Sequence, residues 1–171
     1  LNGSLYANHF NPDGDNVSRT GGEDDGYRNT TAGFGVNWQA TASNTFMAGA
    51  RLVDYRNDYD ATDFTTGLPA DADNVTDGDQ LTSYLQWNLA IAELGYTSEL
   101  KAQYHKDDND NVTGGFDAGG TTGERKQLNW TQFITTDIAQ FAIGSEILRR
   151  EFEQRGPADW GDPNYRGDDS T

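Results

Sequence analysis

Carboxylates are the residues of this chain that could do chemistry. It carries 28 Asp and Glu against 12 Lys and Arg, two His and no Cys, for a formal charge of −16 at neutral pH. Twenty of the acidic residues fall in four stretches, residues 11–26, 57–80, 107–122 and 156–171, whose only basic residues are Arg19 and Arg166. The rest of the chain sums to +2. An acidic field so localised repels phosphate backbones, which argues against nucleic acid, and attracts cations, either a bound metal or the cationic part of a ligand. The run from Asp71 to Asp79 has the composition of a calcium loop without the EF-hand spacing. His9 and His105 lack the further His or Cys that zinc asks for. With no Cys, no glycine-flanked serine elbow and no phosphate-cradling loop, no catalytic set is present and an enzyme is not expected.

The elements that must carry these carboxylates are strands. Seven runs are joined alternately by the long acidic stretches and by tight turns at residues 42–45, 92–94 and 137–140. From Tyr27 to Thr41 the even positions include Ala32, Phe34, Val36 and Trp38, and the odd ones Asn29, Thr31, Asn37 and Gln39, which is period two. Phe46, Ala48, Ala50 and Leu52 continue an apolar face after the turn. Leu85, Trp87 and Leu89 oppose Tyr84, Gln86 and Asn88, and Leu100 and Ala102 oppose Glu99, Lys101 and Gln103. In the third hairpin Gln132 interrupts the apolar set and Phe133 the polar one. The first run, from Gly3 to Phe10, is short.

Runs of about 10 to 14 residues suit tilted membrane strands better than the shorter strands of soluble sheets. Trp38, Phe46, Trp87, Tyr96 and Phe141 lie near tight turns, and Tyr27, Tyr55, Tyr104 and Phe152 near the long stretches, as two interfacial girdles would. The expected fold is therefore all-β: an antiparallel up-and-down transmembrane β-barrel, here about seven strands, with short periplasmic turns and long extracellular loops. Residues 1–171 then form part of one barrel domain.

Apolar residues make up 34% of the chain, yet its 4 Trp, 8 Tyr and 8 Phe are spaced periodically, unlike those of a disordered segment. No segment reads as a separate core, and no apolar run reaches the length of a membrane helix. Leu1 begins almost inside a strand and Thr171 ends inside an acidic stretch, so the expectation is a piece of a larger protein.

Further motifs carry a resemblance. Gly22-Glu23-Asp24-Asp25-Gly26-Tyr27-Arg28-Asn29 and Arg56-Asn57-Asp58-Tyr59-Asp60-Ala61, followed by Gly123 to Trp130 and Arg149 to Phe152, resemble in order and spacing the barrel of TonB-dependent outer-membrane receptors. The vitamin B12 (cobalamin) receptor branch is the most similar. The resemblance implies a barrel of about 22 strands with an N-terminal plug, in the outer membrane of a Gram-negative bacterium. It implies contact with outer-membrane lipid and coupling to TonB through an N-terminal segment outside this chain. It further implies active uptake of a small scarce nutrient such as cobalamin or an iron siderophore, recognised by extracellular loops around Tyr55 and Tyr59. Calcium is the cofactor it implies, held by Glu23, Asp25 and Asp54, with Asp13 and Asp15 as further ligands from the same loop. Val53 precedes Asp54, and Asp24 is acidic, which departs from the family pattern. Two other readings stay open: a passive porin or adhesin-type barrel, and a soluble calcium-binding β-sheet protein.

Overall fold

Period-two alternation produces one antiparallel sheet. A computed structural model describes residues 1–14, 25–157 and 165–171. The described strands are β1 (Asn2–Phe10), β2 (Tyr27–Gln39), β3 (Asn44–Thr62), β4 (Pro69–Ile91), β5 (Tyr96–Thr113), β6 (Phe116–Thr135), β7 (Gln140–Arg155) and β8 (Tyr165–Ser170). They pair in sequence order, each antiparallel to the next. The sheet is open: β1 and β8 are its edges, and it is not closed into a barrel.

Two expectations are corrected. Eight strands are present among the described residues rather than seven, because β8 forms within the acidic stretch 156–171. The stretches 57–80 and 107–122 are not long loops but continuations of the strands around them. β3 and β4 pair up to Thr62 and Pro69 with one bulge between Tyr59 and Ala61, and β5 and β6 meet at a turn of Gly114 and Gly115. Asp, Asn and Gly have low strand propensity. Here cross-strand pairing outweighs it: Thr76 Oγ1 donates to Asn111 Oδ1 at 2.7 Å, Asn109 Nδ2 to Thr121 Oγ1 at 2.7 Å, and Thr122 Oγ1 to Asp108 Oδ1 at 2.8 Å.

Short polar side chains shape the turns. Thr41 Oγ1 accepts from the backbone N–H of Ser43 and of Asn44, at 3.2 and 3.0 Å, and Thr136 Oγ1 from Ala139 N–H at 3.1 Å. Between β4 and β5 a single turn of 3₁₀ helix, Ala92–Leu94, ends on Gly95 at φ +57°, a left-handed conformation that suits glycine.

Towards the tight turns the two faces differ in chemistry. Register partners share a face, so the row Trp38, Phe46, Trp87, Leu100, Trp130 runs across five strands on one side. Phe34, Leu52, Leu85, Leu128, Ile143 and Ile147 share that side and are all more than a third exposed. Gln132 belongs to it too, and its carbonyl accepts the Tyr96 hydroxyl at 2.9 Å, as Asn44 Oδ1 on the same face accepts the Trp87 indole N–H at 2.9 Å. The opposite face presents Asn37, Gln86, Gln103, Gln127 and Asn129. The aromatics beside the acidic stretches correct the girdle expectation: Tyr55 and Tyr104 lie inside β3 and β5 rather than at their ends, and Tyr104 is on the apolar face, whereas Tyr27, Tyr55 and Phe152 are on the polar one. Among the described residues only Val53, Val75 and Leu148 are buried apolar side chains, so the sheet has no core of its own.

The apolar band crosses the sheet obliquely. Relative to the row Ala50, Ser83, Tyr104, Lys126, Arg149, the first charge on the apolar face lies four positions along at Asp54 and Asp79, two at Lys106 and none at Lys126 and Arg149. On the other side of that row the strands end five positions away at Gln39, six at Asn44, eight at Ile91 and Tyr96, and nine at Thr135 and Gln140. From β3 to β7 the border of strand ends drifts three positions, and the border of charges, in the same sense, four positions over four strand steps. At about 3.3 Å per residue and about 4.8 Å between strands, the latter drift is a tilt of about 35° between the strands and the normal to the band. On β4 the band from Leu81 to Ile91 then stands about 27 Å tall.

Candidate functional site

Acidic residues that looked like loop become a lattice on the extended ends of the strands. Asp54, Asp79 and Asp108 are direct register partners on β3, β4 and β5, and Asp77 and Asp110 form the next row on the same face. Spacing of two within a strand is the sequence signal that puts such pairs together: Asp77 with Asp79, and Asp108 with Asp110. Their mutual repulsion is offset by bases set between them. Arg56 reaches Asp58 at 3.0 Å and Asp77 at 3.3 Å, and Lys106 reaches Asp108 at 2.8 Å. Arg155 joins Asp110 at 2.7 Å and also pairs with Asp117, tying the β5–β6 hairpin to β7. The Lys106 hydrogen bond holds the Asp108 carboxyl below the usual carboxylate range. At the β3–β4 tip, the backbone N–H groups of Thr65 and Thr66, 2.7 and 3.2 Å away, do the same for Asp63.

Placement of the expected calcium ligands is divided. Asp15 and Glu23 lie outside the described residues. Asp13 is exposed, and the backbone of Gly14 next to it packs against the Asp25 carbonyl, so those two ends of the acidic stretch come together. Asp58 N–H donates to Gly26 O at 2.9 Å, which sets Asp25 opposite Tyr59. Asp54 sits five positions down β3 from there, about 16 Å along the strand, and faces Arg28 at 3.7 Å. The structure therefore does not bring Asp54 to Asp13 and Asp25.

Sequence reasoning passed over Asp60. It sits at the β3 bulge, in a hollow it shares with Asp25 and Asp58. Its Oδ1 accepts from Ala72 N–H at 3.2 Å, while Oδ2 is buried without a hydrogen-bond partner. A buried orphan carboxylate oxygen costs free energy that a cation would remove. No group of three or more metal-binding side chains converges among the described residues.

Tyr55 and Tyr59 both lie on the polar face, where the Tyr55 ring covers Gly78 of β4 and Tyr59 is exposed. Burial, and then the Asp107 carboxylate, push the Tyr55 hydroxyl up from its ordinary value.

The chain finds no match among protein-family models, curated proteins or solved structures.

Proposed function

We propose that this sheet is part of a transmembrane β-barrel in the outer membrane of a Gram-negative bacterium, and that the barrel is a TonB-dependent receptor for a scarce nutrient such as cobalamin or an iron siderophore. The observation that carries the membrane part is the oblique apolar band. Its tilt of about 35° and height of about 27 Å match what a closed barrel needs to span a bilayer. Closed barrels in water tilt their strands as well, so the height of the band and its exposure are what point to lipid: Trp38, Leu85, Ile143 and Ile147 are 52, 65, 62 and 65% exposed on a face that an open sheet in water has no means to cover. Polarised infrared spectroscopy on oriented bilayers containing the chain tests this: strands tilted by about 35° to the membrane normal are expected, and a chain that fails to float with vesicles ends the reading.

The receptor part rests on the resemblance of the strand-start and strand-end motifs and on the acidic lattice beyond the band. Extended hairpins such as β3–β4 stand well above the membrane level, where they present Asp54 and the Tyr55 to Tyr59 segment to the outside. A cation there would reduce local disorder, so that less ordering entropy opposes ligand capture. Calcium fits this role chemically through the Asp13 and Asp25 junction and the orphan Asp60 oxygen. In the intact receptor, calcium is expected to tighten ligand binding; equal affinity in calcium and in chelator would remove the ion from the account.

A further inference from the structure

One row of the polar face gathers three arginines, with a histidine among them, that the rest of the molecule leaves without counter-charges. Arg51 on β3, His105 on β5, Arg125 on β6 and Arg150 on β7 share a single register row, interrupted only by Thr82 on β4. His105, Arg125 and Arg150 are immediate cross-strand neighbours. Every ion pair among the described residues uses a cation of the apolar face, from Arg28 to Arg166. Arg51, Arg125 and Arg150 form none, in a chain whose formal charge is −16.

Carboxylates do stand nearby. Asp169 is the register partner of Arg150 across β8, and Asp107 lies two residues beyond His105 on β5. Neither comes within ion-pair distance of the row, and Asp107 instead takes the side-chain amide of Gln80. Arg125 turns along its own strand, donating to Gln127 Oε1 at 2.6 Å, and His105 Nδ1 bonds Thr82 Oγ1 at 2.9 Å. Like charges set directly opposite each other destabilise a sheet. Keeping them there, with carboxylates in excess elsewhere, is explained by an anion that joins them.

We propose that this row is a binding site for a small polyanion bearing phosphate or carboxylate groups. Neighbouring strands lie about 4.8 Å apart, so His105, Arg125 and Arg150 offer donors at intervals of about 5 Å, close enough for one small molecule with several anionic groups to span them. Guanidinium groups can grip each oxyanion in a bidentate manner. Thr82, His105, Arg125 and Gln127 line a hollow of about 330 Å³, a small-molecule size. If the polar face lines the lumen, as the transport reading has it, the site lies on the permeation path behind the acidic hairpins. The chemistry of the row does not depend on that reading.

The test is titration of the full chain, folded in detergent micelles, with inorganic tripolyphosphate at fixed ionic strength. Arg125→Gln with Arg150→Gln is expected to weaken binding at least about tenfold. Lys126→Gln with Arg149→Gln removes the same charge from the same two strands on the other face, and is expected to change it by less than about threefold. Equal weakening by both pairs would show only long-range attraction and overturn the site, as would a wild-type chain that binds no tripolyphosphate. Far-UV circular dichroism on each sample confirms that the sheet is intact. Vesicle flotation of the same proteins reports separately on the membrane reading, so row-dependent binding by a chain that does not float would keep the site and remove the transport path.

Discussion

Replacing Leu85 with arginine is expected to keep the chain out of lipid bilayers. Leu85 is 65% exposed near the middle of the apolar band, on the row below Ala50, Ser83 and Tyr104. No neighbouring strand offers it a carboxylate: its register partners are Ala48 and Ala102. An arginine at the mid-plane of a lipid-facing strand costs about 2 to 4 kcal/mol. To reach the edges of the band its guanidinium would have to pass Ser83 and Leu81 on one side and Trp87, Leu89 and Ile91 on the other. Gln86→Arg, one residue on, points to the polar face beside Lys101 and Met47 and is expected to leave insertion unchanged. Flotation of the two variants with vesicles compares them directly. Equal flotation of both would mean that the band does not meet hydrocarbon.

Gly95→Ala is expected to be strongly destabilising. Gly95 closes the β4–β5 turn at φ +57°, where a residue with a Cβ pays about 1 to 2 kcal/mol. Space is lacking as well, since a Cβ at that point would run into the Thr135 carbonyl of β6. The same glycine accepts Thr135 N–H at 2.8 Å through its own carbonyl, so any shift to relieve the clash strains the β5–β6 register. Together these effects amount to about 3 kcal/mol or more. Gly67→Ala separates the two causes: Gly67 has φ +69° but nothing within 4 Å of its Cβ position, and only the conformational cost of about 1 kcal/mol applies. Denaturant unfolding of both variants in detergent measures the difference. A Gly95 variant no weaker than the Gly67 variant would show that the Thr135 contact carries no weight.

Much of the sheet was legible because period two survives in every hairpin. Phe34, Val36 and Trp38 against Asn37 and Gln39 fixed which face of β2 is apolar, and the tight turns near Thr41, Glu93 and Thr136 fixed which strands neighbour each other. The acidic stretches were misjudged for a physical reason. Asp, Asn and Gly signal turns when propensity alone is read, and residues 107–111 carry no apolar alternation, yet partners such as Thr76 with Asn111 extend the ladder through residues 74–79 and 107–113. Only the pairing partner makes those segments strands, and a single sequence does not print its partners. The aromatic girdle at the far ends failed similarly: Tyr55 stands inside β3 rather than at its end, and parity in register puts both Tyr55 and Phe152 on the polar face.

The candidate site divides the same way. Asp25 and Asp54 look close in a scheme of two adjacent loops. Once β3 runs straight on to Thr62 they sit about five strand positions apart. Asp60 carried no signal beyond its type, because its orphan oxygen is created by the bulge between Tyr59 and Ala61. The row of Arg51, His105, Arg125 and Arg150 was hidden as well, since the four are far apart in sequence and only the register aligns them.

The most direct measurement is spin-label accessibility along one strand in vesicles. Nitroxides placed singly from Leu81 to Leu89 on β4 should alternate, with oxygen contact high at Ser83, Leu85, Trp87 and Leu89 and contact with a water-soluble nickel chelate high at Thr82, Tyr84, Gln86 and Asn88. Labels that meet water equally at both sets, or oxygen equally at both, would contradict the assignment of one face of this sheet to lipid and with it the proposed receptor.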